Sequence, residues 1–164
     1  MSKTLQEIES SLNLLTPHDF NLDIIEANTG FERLYILIDE LEKIDEPQKI
    51  KEMLFFTIER LSNSDEIDPR FDIGTPGPLV HALEKLPNYS KQLIESINRY
   101  PTPLTVWMIN RILNITINEE EKRFWLNLLQ EAINHPQATL FVKNKAQDFI
   151  DFQISQNKKT MWLE

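Results

Sequence analysis

Glycine is nearly absent from this chain, with three residues in 164. Sheets built from tight hairpins draw on glycine for positive φ, and the chain has no Asn-Gly or Asp-Gly pair. No stretch sustains a two-residue alternation. Apolar residues recur at three and four, and nine prolines cut the chain into short blocks. The predicted fold class is all-α. The expected form is a single helical domain, residues 1–164, of about seven to eight helices packed as antiparallel pairs. A HEAT-like short α-solenoid or an irregular bundle would meet that description.

Composition narrows the function classes. Cysteine is absent, which removes disulfides, thiol nucleophiles and thiolate metal sites. The N-terminal MSKTLQEIESSLNLL lacks the apolar core of a signal peptide, and the apolar runs are far too short to span a bilayer. A soluble, cytoplasmic protein is expected, with no membrane partner. The net charge of −9 is uneven. Residues 1–73 hold 7 Lys/Arg against 17 Asp/Glu, a net of −10, and residues 74–164 hold 10 against 9. Direct nucleic-acid binding by the N-terminal half is disfavoured, because phosphate contacts need a basic surface. An acidic half suits a basic partner or simply keeps the chain soluble.

Residues 3–15 read as a first helix, with Leu5, Ile8, Leu12 and Leu15 inward and Thr16–Pro17 as its stop. Residues 17–28 read as an irregular connection with a helical turn at Leu22–Ile25. Thr29 with Glu32 has capping-box form. Phe31, Leu34, Tyr35, Ile38 and Leu41 would make the stripe of the helix it opens. Asp39, Glu40, Glu42 and Asp45 crowd the end of that helix, the wrong sign for its dipole, with no compensation visible in the sequence. They are candidate partner contacts, or else a solvated face. Pro47 would open a third helix with Ile50, Leu54, Ile58 and Leu61 inward, forming a hairpin with the second. In the loop Asn63–Thr75, the carboxylates Asp65, Glu66, Asp68 and Asp72 lack calcium-loop spacing. Ile67, Phe71 and Ile73 would pack it down. Asp68, Arg70 and Asp72 are further candidate contacts.

Five of the nine prolines fall in Asp72–Asn114. Thr75 or Gly77 would cap a helix carrying Leu79, Val80, Leu83 and Leu86. Asn88 or Ser90 would cap one carrying Leu93, Ile94 and Ile97. Thr102 and Pro103 would open the most apolar helix, Leu104–Ile115. Trp107, Asn110, Arg111 and Asn114 share one face of it. That polar stripe either satisfies carbonyls of the Pro-rich turns or faces a partner, where Trp and Arg are typical anchors. His81 and Glu84 are one turn apart but too few for zinc. His81 reads as a buried histidine bonded to the Pro-rich loop.

The strings Gly74–His81 (GTPGPLVH), Pro101-Thr102, Thr105–Met108 (TVWM) and Asn110-Arg111 resemble a family of small α-helical bacterial immunity proteins. These accompany polymorphic or contact-dependent growth-inhibition toxins. The likeness is weaker over the C-terminal helices and only general in the acidic half. It implies a cytoplasmic protein that binds and neutralises the C-terminal domain of a cognate toxin by stoichiometric occlusion. If that toxin is a basic nuclease, the acidic helices would mimic its substrate. The alternative is a HEAT-like adaptor with no toxin partner. An enzyme is disfavoured, since no nucleophile motif, phosphate loop or metal cluster is present, and no cofactor is expected.

Toward the C-terminus, Asn118 with Glu121 would open a helix carrying Phe124, Trp125, Leu128, Leu129, Ala132 and Ile133. His135–Pro136 ends it. A last helix, Thr139–Ile154, would turn Leu140, Val142, Ala146, Phe149, Ile150 and Ile154 inward. Met161-Trp162-Leu163 would then dock on the core.

Overall fold

A computed structural model describes residues 1–21, 29–62 and 76–163, with side chains through residue 159. The protein is all-α. Among the described residues there are eight α-helices and no strand. They gather into two compact units, residues 1–93 and 94–164.

In the first unit, α1 (Leu5–Leu14) is opened by a complete capping box between Thr4 and Glu7. A 3-10 turn, Pro17–Phe20, follows it. The helix α2 (Gly30–Leu41) starts where Thr29 Oγ1 accepts the Glu32 N–H. Its buried face is Leu34, Leu37, Ile38 and Leu41. Leu37 takes the place expected of Tyr35, whose ring tip is polar and which is half exposed beside Ile36. Pro47 does open α3 (Pro47–Leu61), with Ile50, Leu54, Ile58 and Leu61 buried. The expected packing of α2 on α3 is corrected: each packs more extensively on α1 and α4 than on the other. Arg60 of α3 donates to the Leu12 and Leu15 carbonyls, which closes the C-terminal end of α1. The helix α4 (Gly77–Glu84) buries Leu79, Val80 and Leu83. Gly77 begins it at φ +69°, in the left-handed region.

The division between the units falls within α5 (Ser90–Arg99). In the second unit, Thr102 and Thr105 form a fully buried, reciprocal capping box at the head of α6 (Pro103–Ile115). Leu104, Val106, Met108, Ile109 and Leu113 are buried, while Ile115 is exposed at the helix end. Asn118 accepts the Glu120 and Glu121 N–H groups to start α7 (Glu119–Asn134). Trp125, Leu128, Leu129 and Ala132 are its buried face, and Phe124 is half exposed, edge-on to Trp125.

His135 ends α7. Its Nδ1 accepts the Gln137 N–H at 3.0 Å. The proton therefore sits on Nε2, which donates to the Asn98 carbonyl at 2.8 Å. The last helix, α8 (Leu140–Leu163), is longer than its expected end at Ile154. Val142, Ala146 and Gln153 are the buried positions among its described side chains, and Leu140 and Ile154 are exposed instead of inward. The expected docking of the terminal Met-Trp-Leu group and the packing of the Asn63–Thr75 loop lie outside the described side chains. The turn expected at Leu22–Ile25 also lies outside the described residues. Among those described, no helix is long and apolar enough to cross a membrane.

Candidate functional site

A cleft of about 450 Å³ lies between the end of α2, the start of α3 and the end of α4. Ile38, Leu41, Ile50 and Leu54 line it, each almost fully buried. Ile44, Pro47, Ala82, Leu86 and Pro87 complete its apolar walls, and Glu42, Asp45 and Lys85 bring charge to it. A concave, mostly apolar surface with a few polar groups is what a binding pocket requires.

The acidic end of α2 is compensated at two of its four carboxylates, Glu40 and Glu42, contrary to the expectation from sequence. Lys43 Nζ lies 2.5 Å from Glu40 Oε1, and the Lys3 backbone N–H donates to Glu40 Oε2 at 3.2 Å. The Lys43 hydrogen bond, then that of Lys3, holds the Glu40 carboxyl below its usual range. Lys85 of α4 reaches Glu42 at 2.6 Å. That bond, joined by the charges of Glu42 and Asp39, raises Lys85 above the usual lysine range. The compensating cations lie on three separate stretches of chain, two of them far away in sequence. Asp39 and Asp45 are exposed, and among the described residues neither makes a side-chain hydrogen bond or ion pair.

The Pro87 wall is fixed from behind. Lys51, 4% exposed, donates through Nζ to the carbonyls of Pro87 at 2.9 Å and Asn88 at 3.3 Å. These carbonyls belong to the turn where Asn88 takes φ +54°. A lysine on α3 thus holds the end of α4 in place, and the cleft keeps its shape through a buried polar contact.

The stripe on α6 divides into two parts. Gln153 of α8 donates through Nε2 to Asn110 Oδ1 at 2.8 Å and Asn114 Oδ1 at 2.7 Å. The stripe's amides serve helix packing, with α8 as their partner in place of the expected loop carbonyls. Arg111 lies over the Trp107 ring, 5.5 Å from its centroid, with Trp107 half-buried and Arg111 exposed. His81 is corrected from buried to exposed. With Leu79, Val80 and Leu83 turned inward, position 81 falls on the outer face of α4. Asp68, Arg70 and Asp72 lie outside the described residues.

Sequence reasoning found Glu42 and Asp45 but missed the cleft they border. The prolines at 47 and 87 are visible in the sequence, yet nothing local shows that the end of α4 borders a cleft with α2 and α3. Among the described residues, no three His, Asp or Glu groups are placed to hold a metal ion. Comparisons with protein-family models, with curated proteins and with solved structures found no match.

Proposed function

We propose that this chain is an immunity-type binding protein that neutralises a basic protein toxin in the cytoplasm by stoichiometric occlusion. The contact surface in this reading is the cleft of the first unit, and the cleft is the observation that carries it. Its apolar walls offer the desolvated pocket that interface anchors fill. Its acidic border, in a half-chain of net charge −10, steers a basic partner and sets its orientation. The Gly74–Arg111 strings support the choice of partner class, since they resemble the immunity family.

The best residues to reverse are Asp39 and Asp45, which make no ion pair or side-chain hydrogen bond among the described residues; Asp39 contributes only its charge at Lys85. Glu40 and Glu42 are engaged by Lys43 and Lys85, so their replacement would mix local strain with lost steering. The test is co-expression with any toxin domain encoded beside this chain, scored by growth, together with association kinetics. The expected result is protection by the native chain. For D39K/D45K, association should slow by about tenfold at low salt, with the gap closing at high salt. Absence of protection against any neighbouring toxin would sink the reading and leave the adaptor role.

A further inference from the structure

The two kinds of lining in the cleft call for one kind of guest. Its inner surface is aliphatic, from Ile38, Leu41 and Ile50. Its charged groups are already partly matched, since Lys85 occupies Glu42 at 2.6 Å. Asp45 is left over, with no ion pair or side-chain hydrogen bond among the described residues. A wholly apolar guest would cover Asp45 without pairing it, and an uncompensated carboxylate is costly to desolvate. An anionic guest would meet Asp45, Glu42 and the nearby Asp39. A cation on an aliphatic stem satisfies both surfaces, because lysine and arginine lay their methylenes on apolar walls while the charged head stays at the border.

We infer that the cleft is a receptor for a lysine or arginine side chain of the protein partner, its stem against the half-buried Ile44, Pro47 and Leu86 above the buried floor of Ile38, Leu41 and Ile50, and its head on Asp45. This deepens the binding-protein reading above and rests on it for the source of the side chain. The pairing of Glu42 with Lys85 keeps one carboxylate occupied, so Asp45 sets the preference for a cation. Freeing Glu42 supplies a second anionic contact.

The guest chemistry can be tested on the full chain without its partner. The isotope-labelled protein is titrated with N-acetyl-lysine amide and N-acetyl-arginine amide, and with N-acetyl-norleucine amide as the uncharged match. Backbone amide shifts are followed at Ile44, Asp45, Ala82 and Leu86. The cationic probes should give saturable shifts at these positions and bind at least about threefold tighter than norleucine amide. In D45N that advantage should vanish. In K85M, where Glu42 is released, it should grow. Equal binding of norleucine amide, an unchanged advantage in D45N, or no saturable shift at the cleft would each overturn the inference. The growth assay is independent of these titrations, so failure of the anchor and failure of the toxin-binding reading are distinguishable.

Discussion

Two glycines in the first unit illustrate different ways a residue can be irreplaceable. A Cβ on Gly30 would lie 2.5 Å from the Asp19 carbonyl oxygen, and backbone cannot step aside as a flexible side chain can. Gly77 has open space around it but sits at φ +69°. G30A should therefore lose about 3 kcal/mol or more, as overpacking against fixed atoms does. G77A should lose only about 1 kcal/mol, the conformational cost alone. Urea denaturation of both variants checks the order, and a larger loss for G77A would contradict it. The sequence reveals that glycine is rare, but not which glycine is confined by contact and which by φ. Caps were legible at this scale. Thr29, Thr102 and Asn118 each bond backbone two or three residues ahead, so the whole interaction lies in a short string. The placement of His81 was misread because its neighbouring prolines outweighed the helix phase that turns it outward.

Among the elements, α8 shows the limit of a periodicity argument. Its stripe was expected to end near Ile154, yet the helix continues to Leu163. The added residues include Gln and Lys, which extend a helix without any apolar pattern. Its contact with α6 includes Gln153, which donates to two asparagines 39 and 43 positions away. No local signal can announce such a pair, so the α6 stripe could only be read as having two possible partners. Q153L keeps the bulk but leaves Asn110 and Asn114 facing a methyl group. It should cost about 1–2 kcal/mol, since those amides keep some access to water. Thermal denaturation measures this, and an unchanged midpoint would mean that the asparagines find other partners. The preference of α2 and α3 for other neighbours was equally hidden. Their short link reads as a packed hairpin, whereas each packs more extensively on α1 and α4.

For the whole molecule, the all-α class and the acidic half were legible from composition and periodicity. The division into two units and the cleft were not, because both arise from contacts between distant helices. The acidic half also sets the pH response. Glu7 is lowered by its backbone and side-chain bonds to Thr4, and Glu40 by Lys43 and Lys3. Burial pushes Asp19 up, but the bonds from Thr16 and Arg33 outweigh it and leave it lowered. A folded-state value below the unfolded one gives stability that is complete above the usual carboxylate range of about 4. That contribution is lost as pH falls through the folded values. Lys85 is raised, so its contribution is present below the usual lysine range and lost at alkaline pH as the folded value is passed. Denaturation midpoints across pH should therefore fall at both extremes. E40Q should flatten the acid limb and K85M the alkaline limb, and limbs unchanged in both variants would refute the assignment.

The enclosure of Lys51 has a use in chemical footprinting. Lys43, Lys49 and Lys85 each have side chains more than half exposed, while Lys51 is 4% exposed and bonded to the turn after α4. An amine-acylating reagent should modify the first three at once and reach Lys51 only when the first unit opens. The lag between the two classes, read by mass spectrometry, would report that opening rate without any added probe. A guest that holds the cleft shut would lengthen the lag, giving a binding readout from a residue the guest never touches.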